Sequence, residues 1–133
     1  MEIIELDFFG KDAQFDHVGL VVKSISAICP DQKSIKDPIQ KVSVLFTKLN
    51  GFEIELIEPL GEMSPVADSL RKGMRLLHIC YSVPHLEDAI ALCKAHGFHL
   101  VASPVPATAF DMRKIAWVFH KHFGLFELLE RKK

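Results

Sequence analysis

Residues 15–22 read FDHVGLVV and residues 76–83 read LLHICYSV. Each is an apolar, β-branched run with one histidine in it, His17 or His78. Each is answered downstream by a second apolar run with a central glutamate, Glu55 in FEIELIE (52–58) and Glu127 in LFELLE (125–130). Two matched His/Glu pairs in one short chain point to two copies of one supersecondary unit. Face to face, the copies bring two imidazoles and two carboxylates to one point. That is a ligand set for a divalent cation, with positions left for water or substrate.

Strand periodicity sharpens this. On 15–22, side chains at 17, 19 and 21 share one face. His17, Gly19 and Val21 are expected toward the site, with Val18, Leu20 and Val22 toward a helix layer. On 52–58, Glu53, Glu55 and Ile57 oppose Phe52, Ile54 and Leu56. A carboxylate set among Ile54, Leu56 and Ile57 is costly to bury without a partner, and so is Glu127 between Phe126 and Leu128. A strand with one solvated face would also place glutamates at alternate positions. The recurrence of the whole pair favours the ligand reading.

The remaining elements follow from local signals. Ser24 or Ser26 caps a short helix that Pro30 ends, and 31–38 reads as loop. Lys41–Lys48 and Phe52–Glu58 are strands joined by Asn50-Gly51, the strongest short hairpin signal. A helix is expected over Pro65–Lys72 behind Ser64, and a strand over Leu76–Val83. Leu86, Ala89, Ile90, Leu92 and Cys93 recur at helical spacing up to Gly97. Phe98–Ala102 is a short strand, 103–113 a proline-bearing loop, and 114–119 and 125–130 are strands. The order is βα(β)ββ, a linker, then βαβββ. Module one covers about 14–60 and module two about 74–131, within a single domain over 1–133.

Composition excludes several classes. The 133 residues carry a net charge of -1, so there is no basic footprint for nucleic acid. No apolar run suits a membrane span, and Glu2, Glu5 and Asp7 are unlike a signal peptide, so a cytoplasmic location is expected. Cys29, Cys80 and Cys93 show no Cys-x-x-Cys spacing and are read as structural. His85, His96, His99, His120 and His122 are given no chemical role, and His120-Lys121-His122 is read as an exposed turn. Arg131, Lys132 and Lys133 are read as a solvated tail. No glycine-rich phosphate loop or Ser/Cys nucleophile motif is present.

Four longer stretches, FDHVGLVVKSI (15–25), IELIEPLGEMSPVADSL (54–70), LLHICYSVPHLEDAI (76–90) and GLFELLE (124–130), carry a resemblance. The chain resembles the vicinal oxygen chelate superfamily (glyoxalase, bleomycin resistance, dioxygenase), and within it the methylmalonyl-CoA epimerases. The resemblance covers nearly the whole chain apart from 29–40 and 103–113. It implies an α+β fold of paired βαβββ modules, a half-open curved mixed sheet around a metal-binding cleft. The family's metal ligands fall on His17, Glu55, His78 and Glu127, with one divalent ion per chain, Zn, Co, Mn, Ni or Fe. It implies proton abstraction next to the carbonyl of a small acyl or acyl-CoA substrate, with Glu127 as the catalytic carboxylate. A homodimer is expected. A glyoxalase-like lyase acting on a hemithioacetal, or a non-catalytic small-ligand module, are the alternatives.

The chain also departs from that family. A gapless alignment puts Ile39 where the epimerases have a glutamate base, with Asp37 and Gln40 nearby. PATAFDMRKIAW (106–117) replaces a Gly-Ala-His-Gly-like loop, and the first helix is shortened. The expectation is therefore weak methylmalonyl-CoA epimerase activity, unless Asp37 folds over the cleft.

Overall fold

The structure, a computed structural model, describes residues 1–132. Its centre is a nine-stranded mixed sheet. The strands are β1 (Gln14–Val21), β2 (Ile35–Asp37), β3 (Val42–Leu49), β4 (Phe52–Pro59), β5 (Leu76–Val83), β6 (His99–Leu100), β7 (Val105–Ala107), β8 (Arg113–His120) and β9 (Gly124–Glu130). Helices α1 (Ile25–Ile28), α2 (Pro65–Arg71) and α3 (Leu86–Ala95) complete it. The spatial order is β2-β3-β4-β1-β5-β9-β8-β6, with β7 also paired to β8.

That order is nearly a palindrome. In each half the first strand lies parallel to the last, β1 to β4 and β5 to β9. The halves join where β1 and β5 run antiparallel. Both lie within one chain, so the expected dimer is not needed to build the cleft. Asn50 (φ 50°) and Gly51 (φ 85°) are both left-handed between β3 and β4. That is the primed turn that Asn-Gly accepts and that matches the strand twist.

The helices cover the outer face. Leu86, Ala89, Ile90 and Cys93 of α3 pack on Val83, Ala116, Val118 and Leu128. Phe8 and Phe9, ahead of β1, join this core. Ile25 of α1 packs on Ile54 and Leu56, with Leu20 and Val22 of the expected helix-facing set beside them. Ser24 Oγ accepts the Ala27 N–H at 3.2 Å, as its capping role requires. Ser64 holds the N-cap position of α2, but its side chain makes no capping bond.

Several expectations are corrected. Residues 31–38 contain β2, whose three residues pair with β3 in a register too short to show periodicity. The loop expected over 103–113 contains β7 and a 3-10 turn at Thr108–Phe110. Pro106 is tolerated because β7 pairs only with β8 and needs few ladder donors. The strand expected over 98–102 is only His99–Leu100. His120 is buried, because Phe8, Phe98 and Phe123 enclose its ring. Arg131 is no free tail: its guanidinium donates to Ser82 Oγ at 3.3 Å, to the Ser82 carbonyl at 3.1 Å and to the Asp12 carbonyl. Lys132 pairs with Asp111 at the surface, and Lys133 lies outside the described residues. Among the described residues, no helix is long and apolar enough to cross a membrane.

Leu128 is wholly buried on the helix side of β9, one residue from Glu127 but facing away from the cleft. Leu128→Ala should cost about 2–5 kcal/mol by removing contacts and leaving a cavity. Denaturant unfolding would show it as a lower midpoint at unchanged slope.

Candidate metal centre

The sheet register puts the four predicted residues together by a rule applied twice. Glu55 lies opposite Gly19, two residues after His17, in the parallel β1–β4 pair. Glu127 lies opposite Cys80, two residues after His78, in the parallel β5–β9 pair. Across the junction His17 faces Cys80 and His78 faces Gly19. His17, Glu55, His78 and Glu127 therefore converge on the concave side, all four buried.

Their polar atoms gather tightly. His17 Nε2 lies 3.2 Å from Glu55 Oε1, 3.2 Å from Glu127 Oε1 and 3.3 Å from His78 Nε2. His78 Nε2 lies 3.4 Å from Glu55 Oε1 and 3.2 Å from Glu127 Oε1. Yet Glu127 Oε1 has no hydrogen bond, despite two ring nitrogens so close. The two imidazole Nε2 atoms are within hydrogen-bond distance of each other, and one ligand atom from each of the four residues lies within 4.8 Å of the others. Such separations suit donors around one ion with bonds of roughly 2.0–2.2 Å. The donor set fits a divalent metal.

Neighbouring side chains fix the rings. Asp16 Oδ2 lies 2.7 Å from His17 Nδ1 and accepts its proton, which leaves Nε2 free as a donor to an ion. Phe46 meets the His17 ring edge-on at 5.4 Å, and Trp117 meets His78 at 4.8 Å. These two aromatics hold equivalent places, Phe46 opposite Glu55 and Trp117 opposite Glu127. Their spacing from the glutamates was visible in sequence, but nothing marked them apart from core residues. The strand alternation places Gly19 on the site face. A Cβ there would stand 2.2 Å from His78 Cε1, so the imidazole lies where any side chain would be. Cys80, its counterpart, packs under His17 within a buried cluster. Burial and the Glu127 charge push the Cys80 thiol well up.

Electrostatics agree with the geometry. Burial works against the His17 imidazolium, but the nearby Asp16, Cys80, Glu127 and Glu55 side chains outweigh it and raise its pKa. Burial likewise opposes the His78 charge, and Glu127 with Glu55 raises it to about 8. Desolvation would raise the Glu127 carboxyl, yet His17 and His78 hold it below the ordinary range. The buried cluster thus demands positive charge, from protons or from a metal.

The site opens on a cavity of about 310 Å³. Glu55, His78 and Glu127 form its polar floor, and its walls are largely apolar, among them Val44, Ile57, Phe110 and Trp117. Ile39 is 46% exposed, outside this wall, whereas Asp37 and Gln40 line it. The gapless alignment therefore selected a turn residue whose neighbours face the cavity.

A family model described as the glyoxalase/bleomycin resistance protein/dioxygenase superfamily matches residues 16–117. The chain belongs to that superfamily. An ethylmalonyl-CoA/methylmalonyl-CoA epimerase of Cereibacter sphaeroides is 27% identical over 122 residues, covering 84% of this chain and 91% of that one. A hypothetical protein of Bacillus halodurans superposes with a TM-score of 0.77 at 29% identity, over 92% of this chain and 97% of that one. Methylmalonyl-CoA epimerase of Mycobacterium tuberculosis also gives a TM-score of 0.77, at 19% identity, over 98% and 94% of the two chains. The fold is glyoxalase-like, an α+β mixed sheet as the sequence resemblance implied.

Two outcomes follow for this superfamily member. Gly19→Ala should push His78 off the shared point and weaken binding of added Co(II) by at least about tenfold, within the usual range for groups that orient a ligand. Titration of the chelator-treated protein would measure it. In metal-free protein the raised His78 pKa stabilises the fold fully below about pH 6.5, and this contribution is lost as pH rises through about 8. Calorimetry in chelator should show Tm falling across that window. A saturating divalent ion should restore Tm most at its upper end, where protons no longer compete for the imidazoles.

Proposed function

We propose that this protein is a metal-dependent enzyme that removes a proton from the carbon next to a carbonyl, epimerising a small acyl thioester, an acyl-CoA in the first instance. The observation that carries the reading is the buried Glu127 oxygen, unbonded between two imidazoles and facing a point shared with Glu55. A hydrogen-bonded structural cluster would have satisfied it. The relative at 27% identity is named for epimerisation of such thioesters, which supports the substrate class.

In this reading His17, Glu55, His78 and Glu127 hold one divalent ion, Zn, Co, Mn, Ni or Fe. Such an ion supplies Lewis-acid stabilisation of negative charge developing on a carbonyl oxygen. The protein's own groups do the rest. Asp16 keeps the His17 proton on Nδ1, so Nε2 stays a donor to the ion. Trp117 and Phe46 hold the rings and exclude water from the floor. The apolar walls take the acyl substituent and make each charge below more effective by lowering the local dielectric. Glu127 lines the cavity and is the catalytic carboxylate that exchanges the proton of the α-carbon.

Protein purified without chelator should carry about one divalent ion per chain by elemental analysis, and His78→Ala should lose most of it. The native protein in deuterium oxide should wash label into the α-position of methylmalonyl-CoA or a related acyl thioester. Full metal retention by both His17→Ala and His78→Ala would sink the metal reading. Hemithioacetal turnover without any thioester exchange would favour the lyase, and ligand binding without either would favour a sequestering module.

A further inference from the structure

We infer that the cavity takes the thioester of a neutral acyl group and disfavours one that carries a carboxylate, with Asp37 as the residue that sets this preference. The inference rests on the metal-dependent thioester reading above and narrows its substrate class.

Among the described residues, no lysine or arginine lines the cavity. Its acidic side chains are Glu55, Glu127 and Asp37, with His78 beside them. A divalent ion held by His17, Glu55, His78 and Glu127 has its charge balanced by the two carboxylates. Asp37 then leaves the loaded cavity with a net negative charge. A further carboxylate on the substrate adds like charge in apolar surroundings, where repulsion is strong. The walls, among them Val44, Ile57, Val66, Leu77 and Phe110, offer it no counter-charge. Gln40 and Ser69 line the cavity as neutral polar groups, and a dipole does not replace a cation. The same walls suit a hydrocarbon substituent, whose burial is favourable.

Asp37 ends β2 and is 3% exposed. Its Oδ1 accepts the Gln40 N–H at 3.0 Å, and it forms no salt bridge among the described residues. Gln40 is held in turn, its Oε1 accepting the Trp117 indole N–H at 3.2 Å, and Trp117 packs on His78. These contacts join the Asp37 carboxylate to the floor of the site. A buried carboxylate without a cation carries a desolvation cost that one backbone bond does not offset.

The internal symmetry shows that the fold does not require an acid here. Asp37 pairs with Val42, four residues before Phe46. Its counterpart in the other half is Ala107, paired with Arg113, four residues before Trp117. Ala107 is buried at 2% and lines the same cavity. One half meets the requirement of that place with a methyl group, and the other puts a carboxylate there. The effect of that carboxylate falls on what enters the cavity.

Two CoA thioesters of nearly the same shape test this. Isobutyryl-CoA has a methyl group where methylmalonyl-CoA has its carboxylate, and CoA is common to both. Binding of each, and of CoA alone, is measured by calorimetry on the Zn(II)-loaded native and Asp37→Asn proteins. Asp37→Asn keeps an oxygen that accepts the Gln40 N–H and removes the charge. The native protein is expected to bind isobutyryl-CoA at least about tenfold more tightly than methylmalonyl-CoA, on the scale of like-charge contacts in a binding site. Asp37→Asn is expected to tighten methylmalonyl-CoA by about threefold or more and to leave isobutyryl-CoA within about twofold of its native affinity. Native binding of methylmalonyl-CoA as tight as that of isobutyryl-CoA, or tighter, would overturn the preference. Equal changes for the two thioesters in Asp37→Asn would overturn the role of Asp37 and leave it a turn residue. If neither thioester binds the native protein more tightly than CoA alone, the thioester reading itself fails, and this inference with it.

Discussion

The antiparallel contact between β1 and β5 is the constraint on which the rest of the molecule depends. Among the described residues it is the only place where the two halves of the sheet meet edge to edge, and it sets the register that brings His17 and His78 together. A shift of one residue would turn both imidazoles to the helix side, because strand faces alternate. Gly19 makes the contact close enough, since the His78 ring lies on the glycine backbone. The ladder slips twice, between Phe15 and His17 and again between Gly19 and Leu20, where Leu76 becomes the partner and Leu77 is left out. That irregularity lets Leu77 turn toward Val42, Val44 and Ile57 at the cavity wall.

Burying two carboxylates and two imidazoles in such a contact runs against ordinary folding energetics. Each ionised group carries a desolvation cost that attraction repays only when geometry is excellent. Here Glu127 Oε1 is left without a hydrogen bond although both imidazoles lie 3.2 Å from it. The cores on either side absorb the cost. One packs α3 and the N-terminal phenylalanines on β5, β8 and β9, and another fills the inner face around Ile115, Phe110 and Leu129. The site is held by rigid strands, which is where a constellation needing sub-ångström placement should be built.

How far the sequence disclosed this follows from which features are local. The long strands were legible because each has a run of β-branched residues and a hairpin or helix signal at its end; Leu76–Val83 and the Asn50-Gly51 turn are clear cases. The four converging residues were legible because a repeat marks them twice. β2 and β7 were not, because three residues cannot show alternation and Pro106 argues against pairing on propensity alone. The burial of His120 was invisible for another reason. It depends on Phe8, more than a hundred positions away, folding over β8, and no pattern within the turn reports that. The importance of Gly19 also belongs to tertiary structure, since a glycine in a strand usually signals only weakness or a bulge.

The two halves share a frame, and their differences carry the chemistry. Symmetry sets His17 against His78, Glu55 against Glu127 and Phe46 against Trp117, and a symmetric set is enough to hold an ion. It breaks at the neighbours. Gly19 admits the His78 ring, whereas Cys80 stands at the matching place under His17. Asp16 holds His17 by its outer nitrogen, whereas the equivalent atom of His78 is buried without a partner. Asp37 faces the cavity where Ala107 faces it from the other half. A substrate bound in this cleft therefore meets two unlike sides above a nearly symmetric floor. The inequality of the two halves therefore lies in the neighbours and not in the four candidate ligands themselves.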